Sequence, residues 1–400
     1  MKTVAAAIDF GTSKVVTMLA ESGGRSRCEI LGAGVRPYDG YMDGQWNAPE
    51  KLNMEIRASI NAAELESKRR IKEIYVGVPS TFLKVRSTQA EVKSNAEDGR
   101  IEDACVDAAL DAAADSLDLR SSGEVIIHRS PAWFQVEGGK KDMTPVGRKG
   151  QTLRTMVSFI TADAQFVRDM RARFSEMGVS VIGFLSPSMG EALWLITMEE
   201  RDRSAVLIDV GYLSTEVMVV EGDALTFHTV VPLGAGHVTM DIAQRLTIKM
   251  RIAEEVKRQF SFIDDEFEPA GDPEVVGEDG RKQRFPRAEV RETVEARVDE
   301  IAEMLAEALI RAQAFTGARA QVYLTGGGLA MMQGGREYLG GQLKRVIKTP
   351  TQRASRLNTP AYASSWGLID LLFDSIESHS PDNDSLSNRL KGGLRGLVRR

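Results

Sequence analysis

The sequence predicts an α/β protein of two similar halves, with a small α+β unit inserted in the first, and three observations carry that prediction. An apolar run enters Asp-x-Gly and then hydroxyl side chains twice, as "IDFGTSK" from Ile8 and as "IDVGYLST" from Ile208. Each copy continues into runs with the alternation of a three-stranded meander. The stretch 84–162 breaks that rhythm with an alanine-rich amphipathic helix between strand-like runs.

In the first half, "TVAAAIDF" and "KVVTMLAES" read as a hairpin across Gly-Thr-Ser, and "CEILGAGVRP" as a third strand. Residues 50–70 have helical spacing, with Leu52, Ile56, Ile60 and Ala63 on one face. "IKEIYVGVP" reads as a buried strand that Pro79 ends. The inserted block holds the helix "RIEDACVDAALDAAADSL" and the strands "EVIIHRSPAWFQV" and "QTLRTMVSFITA". Helix, strand and helix then resume from about Ala164.

The second half opens near Ser204 with "SAVLIDVG", "STEVMVVEGD" and "LTFHTVVPLG", a second meander. A helical stretch follows through Phe262. A polar Gly/Pro-rich segment then reads as a hairpin or mobile loop, and a long helix covers roughly Arg287–Ala314. "AQVYLTGGGLAMM" reads as a strand entering a triple glycine and then a helix.

Composition narrows the function classes. Four hundred residues exceed one compact core, while 42% hydrophobic and 27% charged residues are ordinary for a soluble protein. A net charge of −6 offers no overall attraction for nucleic acid, so no nucleic-acid partner is expected. Cys28 and Cys105 are the two cysteines, which implies no disulfide framework and a reducing compartment. Asp9 interrupts the first apolar run too early for a signal peptide, and no 18-residue apolar run follows. The expectation is a cytoplasmic protein.

The repeated motif has a chemical reading. Glycine at a strand end lets the backbone approach an anion, and neighbouring N–H groups and hydroxyls donate to phosphate oxygens. Gly11, Thr12 and Ser13 fit that role, and Lys14 adds positive charge. Gly211, Ser214 and Thr215 repeat it from the other side. Asp9 and Asp209 would repel a bare phosphate, but they suit Mg²⁺ held with its waters between carboxylate and phosphate. An ordinary hairpin turn is the alternative for either motif alone; two in similar halves argue for a shared site. Gly326, Gly327 and Gly328 offer either a flat floor for a base or ribose or a tight β–α connection. Glu254 and Lys257 share a helix face, either as a solvated salt bridge or as hydrogen-bonding partners for adenosine.

In order, these pieces resemble the superfamily of actin, heat-shock chaperones and sugar kinases, in which ATP and Mg²⁺ sit between two ribonuclease-H-like halves. Within it the chain looks like the FtsA family of bacterial division proteins. The carrying segments are "IDFGTSK", "GRIEDACVDAALDAA", "IDVGYLSTEV", "PLGAGHVTMDIA", "AEEVK", "VEARVDEIAEML" and "VYLTGGGLAMMQG". The resemblance implies duplicated actin-like halves, the first over 1–83 and 163–200 and the second over 201–245 and 320–373. It implies a family-specific insert at 84–162, a small subdomain at 246–319, a disordered linker at 374–385 and a membrane-targeting helix at 386–400. It adds Gly234 and Gly236 of "PLGAGHV" to the nucleotide site. It also implies an adaptor that polymerises with itself and tethers the FtsZ ring to the inner face of the cell membrane at the division septum. By position in "VEARVDEIAEML", Arg297 and Glu300 are the residues to meet the FtsZ C-terminal peptide; an exposed ion pair is the plain alternative. A pilus-assembly or other actin-fold scaffold is a second reading. A small-molecule kinase is a third, although no Asp stands in a context suited to its catalysis.

The chain departs from the family at "IDVGYLST", where Tyr212 and Leu213 replace two small positions. Ala235 likewise stands for a glycine. The expectation is ATP binding with slow hydrolysis at most. The tail is read directly from its pattern: Leu386, Leu390, Leu394, Leu397 and Val398 share one helical face, and Arg389, Lys391 and Arg395 lie on the rest. That is the pattern of an in-plane membrane anchor on anionic lipid, although three glycines weaken the helix and a frayed basic tail is the alternative.

Overall fold

The computed structural model describes residues 2–377 apart from 24–27, 43, 95, 97, 118–121, 264–270, 278–279, 317–319 and 353. The first sheet has the spatial order Glu29–Pro37, Lys14–Ser22, Thr3–Phe10, Glu73–Gly77, Ser180–Leu185. The second has the order Ala224–Val231, Thr215–Glu221, Ala205–Val210, Gln321–Thr325, Ile347–Lys348. In both, three antiparallel strands are followed by two that run parallel to the central one. The duplication extends to register: Asp9 faces Val16 across its hairpin and Asp209 faces Glu216 across the other. The fold is actin-like α/β.

Strand Ala205–Val210 shows how the halves are joined. Its side chains alternate in direction, so Ala205 and Leu207 enter one core while Val206, Ile208 and Val210 enter another. The first core also holds the first sheet and the helices Pro187–Leu195 and Ala363–Glu377. These two helices cross very closely. A Cβ on Gly190 would lie 2.3 Å from the Gly367 carbonyl oxygen, and one on Gly367 would lie 2.2 Å from the Glu191 nitrogen. Only glycine at both positions permits that approach, and it sets the depth at which the neighbouring polar residues enter the cleft.

Between the strands at 73–77 and 180–185, Leu83–Lys93, Glu124–Val136, Lys141–Asp142 and Thr152–Asp163 form a separate four-stranded sheet, covered by the helix Asp103–Asp115. Leu83–Lys93 is a strand the sequence reading passed over, because most of its side chains are polar and half-exposed and it lacks an apolar stripe. This sheet also touches the second half. Ser87 Oγ donates to the Thr226 carbonyl at 2.7 Å and Ser158 Oγ to that of Leu225.

The single helical stretch expected through Phe262 is two helices, Ala235–Arg245 and Met250–Gln259, separated where Thr247 takes φ +52°. The polar segment after them contains a short hairpin, Glu274–Val276 with Lys282–Arg284. The long helix spans Arg287–Ala312. The last helix continues to Glu377, four residues into the segment read as a linker from residue 374. The tail residues Leu386, Arg389, Leu390, Lys391, Leu394, Arg395, Leu397 and Val398 lie outside the described residues. Among the described residues no helix is long and apolar enough to cross a membrane.

Candidate functional site: a cleft between two Asp-Gly hairpins

The two hairpins meet tip to tip. Each closes its own turn, Gly11 N–H donating to the Lys14 carbonyl and Gly211 N–H to that of Ser214, both at 2.9 Å. Thr12 then crosses the cleft: its hydroxyl oxygen accepts the N–H groups of Tyr212 at 3.2 Å and Leu213 at 3.1 Å. Ser13, Lys14 and Ser214 remain partly exposed beside this bridge. Thr215 does not join them, because its hydroxyl is buried and donates to the Leu233 carbonyl at 2.7 Å.

Behind the turns lies a set of carboxylates. Asp9 is 6% exposed and accepts from Ser364 Oγ at 3.0 Å and Ser365 Oγ at 2.7 Å. Burial raises its pKa, and the two serines and Lys14 offset part of that rise. Asp209 is pushed up to about 7 by burial, with the neighbouring Glu216 charge adding to it. Its Oδ1 is buried and has no hydrogen-bond partner. Glu191, 1% exposed on the crossing helix, is driven well above its ordinary value by burial and by Asp209. Burial also pushes Glu216 upward, but His228 at 2.9 Å and Ser188 at 2.7 Å outweigh it and keep the carboxylate ionised. Burial lowers Lys14, against the pull of Asp9 and Asp209; its Nζ stands 5.1 Å from the Tyr362 ring centre.

These residues fit a hydrated divalent cation. An orphaned buried carboxylate oxygen calls for a partner, and Asp9 and Asp209 bring carboxylates from both halves. Among the described residues no three His, Cys, Asp or Glu side chains form a ligand cluster, so most of the cation's shell would be water and phosphate, as Mg²⁺ prefers.

The nucleoside end is built from the glycines and two helices. Gly326 has φ +96°, and a Cβ there would lie 2.0 Å from Asp209 Oδ1, so this position requires glycine. Gly326 and Gly328 are buried against Asp209 and Val210, which leaves Gly327 as the exposed member of the three. Gly234 and Gly236 pack on the second hairpin: Ala235 N–H donates to the Gly211 carbonyl at 3.0 Å and Gly236 N–H to that of Tyr212 at 2.6 Å. Glu254 and Lys257 form a 2.7 Å ion pair that is sealed inward rather than solvated. Lys257 Nζ also donates to the Ala235 carbonyl at 3.0 Å and Thr239 Oγ1 at 2.8 Å, and Thr239 donates to Glu254 at 2.6 Å.

Sequence reasoning missed Glu191, Ser364 and Ser365. Their signal was indirect: a glycine inside each of two apolar helical runs, "SPSMGEALWLI" and "SSWGLIDLLF". Arg297 and Glu300 lie away from the cleft. Arg297 pairs with Glu300 and also clamps Asp241, Nε to Oδ2 at 2.6 Å and Nη2 to Oδ1 at 3.1 Å.

The family model described as "Cell division protein FtsA" matches residues 206–367, which include the second hairpin and the triple glycine. Cell division protein FtsA of Neisseria meningitidis serogroup B is 24% identical, over 98% of this chain and 95% of the relative. That of Bacillus subtilis is 25% identical, over 90% and 82%. Among solved structures, the PilM–PilN type IV pilus biogenesis complex has a similar fold, with a TM-score of 0.61 at 18% identity over 92% of this chain and 98% of that one. MreB 5 of Spiroplasma citri bound to AMPPNP gives 0.54 at 12% identity over 94% and 99%. The chain has an actin-like fold and is similar in sequence to the FtsA cell division proteins.

Proposed function

We propose that this chain is an ATP-binding adaptor of bacterial cell division that forms filaments with itself and tethers the tubulin-like FtsZ ring to the cytoplasmic membrane. The observation that carries the reading is the apposition of two Asp-Gly hairpins with Asp9 buried and Asp209 half-buried behind them, and one buried Asp209 oxygen unpartnered. In this reading Ser13, Lys14 and Ser214 face the phosphates and Gly327 faces the nucleoside. Asp9 and Asp209 hold Mg²⁺ through water, and the cation offsets the negative charge the two carboxylates present to a phosphate. Spiroplasma MreB 5, solved bound to AMPPNP and to ADP, supports nucleotide binding by such a fold.

The anchoring part of the reading rests on the tail. Each basic residue near an anionic leaflet adds about 1 kcal/mol, and the leucine face of 386–398 supplies apolar burial. The FtsZ part rests on Arg297 and Glu300, on the helix outside the cleft. Co-sedimentation of the full chain with FtsZ and vesicles containing anionic lipid tests the whole. FtsZ is expected to pellet with the vesicles only when this chain is present, and removal of residues 386–400 is expected to release both. FtsZ recruitment by the truncated chain would sink the tether.

A further inference from the structure

Tyr212 is the residue at which the second hairpin departs most from a phosphate loop, and its side chain is half-buried. A Cβ placed on Gly236 would lie 2.7 and 2.8 Å from Cε1 and Cδ1 of the Tyr212 ring, so that side of the ring is packed against the first turn of the helix Ala235–Arg245. Lys257 Nζ stands over the ring, 5.5 Å from its centre. The hydroxyl end faces Thr239 and the Glu254 carboxylate. These are the groups that the site offers to a nucleoside: a glycine floor, a cation for a π face, and a hydroxyl–carboxylate pair for a polar edge. The backbone of the same residue is fixed on both sides, its N–H on Thr12 and its carbonyl on Gly236.

We infer that Tyr212 is a resident occupant of the nucleoside end of the cleft, a gating residue that a nucleotide must displace before it can bind. The inference rests on the ATP reading above and adds its regulation. An aromatic ring packed on a glycine with an ammonium over it makes contacts of the kind an adenine would make, so ring and base compete for one slot. Binding is then weakened by the fraction of molecules in which the ring is in place. The ring can leave by rotation about its side-chain bonds, while the Tyr212 carbonyl bond to Gly236 and the N–H bond to Thr12 stay in place. No covalent step is involved.

The test is calorimetric titration of MgATP into the full chain carrying Tyr212, Tyr212→Ala or Tyr212→Phe. Tyr212→Ala is expected to bind at least about tenfold tighter than the wild type, and Tyr212→Phe, which keeps the ring, to stay close to the wild type. Equal affinity for wild type and Tyr212→Ala overturns the gate and leaves the ATP reading intact. Binding by neither overturns both. Tyr212→Trp gives a second readout that does not depend on a truncated side chain: its emission, taken as the difference from wild type, is expected to shift to the red as MgATP expels the indole into water. Unchanged emission at saturating MgATP overturns the gate even if Tyr212→Ala fails to fold.

Discussion

Thr12 on the first hairpin accepts the Leu213 N–H of the second at 3.1 Å, and that hydroxyl is 8% exposed with its residue. One hydroxyl oxygen thus serves two N–H donors from the opposite half. Thr12→Val keeps the shape and deletes the acceptor. Two donors are left unpaired, at about 1–3 kcal/mol for a buried group, and the nucleotide-free Tm is expected to drop by several degrees. MgATP, which brings its own acceptors to these donors, is expected to restore more of that loss than it adds to the wild type. A differential scanning measurement in which the variant melts like the wild type would remove the bridge from the argument.

The Asp209–Glu191 pair makes a prediction about pH. The native Asp209 carboxyl, at about 7, keeps a proton that the unfolded carboxyl, near 3.8, has already lost. Within that window the native state binds more protons, so stability falls as pH rises through it. Glu191 shifts in the same direction. Asp209→Asn removes the titration, and without nucleotide the variant is expected to gain Tm relative to the wild type as pH is raised from about 5 to about 8. Parallel curves for the two proteins would contradict the pair. With MgATP present the order is expected to reverse, because the variant loses the carboxylate that the cation needs.

Much of the fold could be read from local pattern. The hairpins announce themselves because Asp-Gly follows strands whose alternation is written in the chain, as with Ala205 and Leu207 against Val206 and Ile208. Strand Leu83–Lys93 escaped because its side chains are half-exposed and polar, so its sheet pairing, not burial, defines it. The deeper part of the site was hidden for a different reason. Ser364, Ser365 and Glu191 reach Asp9 and Asp209 only through the crossing at Gly190 and Gly367, a long-range contact with no periodic trace. Sequence spacing placed Glu254 and Lys257 on one face, but it could not say that Thr239 and the Ala235 carbonyl would turn the pair inward. The direction of the Tyr212 ring was equally silent.

Arg297 separates a structural role from a binding role. Its bidentate bond to Asp241 ties the long helix to Ala235–Arg245, and that bond is the main reason its pKa is raised. The pair is partly exposed, so Asp241→Asn is expected to cost no more than about 1 kcal/mol. If Arg297 meets an FtsZ peptide directly, Arg297→Ala should abolish co-pelleting while Asp241→Asn leaves it within a few-fold. Equal losses in both variants would reduce Arg297 to a strut between helices.

The last prediction concerns turnover. Hydrolysis needs a group that accepts a proton from water aligned on the γ-phosphate. Glu216 has one carboxylate oxygen already engaged by both Ser188 and His228. Glu191 lies deep in the cleft, and burial together with the Asp209 charge raises its pKa well above the ordinary value, which favours the protonated form over the base. Asp209 is committed to the cation in the proposed complex. Asp9 accepts from Ser364 and Ser365, so among the described residues each of the four cleft carboxyl side chains is already hydrogen-bonded, raised in pKa or assigned to the cation. ATP is expected to turn over far below the roughly 1–100 per second of ordinary kinases, and Glu191→Gln is expected to leave the rate unchanged, since the upward shift favours the protonated carboxyl that Gln mimics. A phosphate-release assay showing kinase-like rates, or a large loss of rate in Glu191→Gln, would mean that Glu191 ionises when nucleotide binds and works as the base.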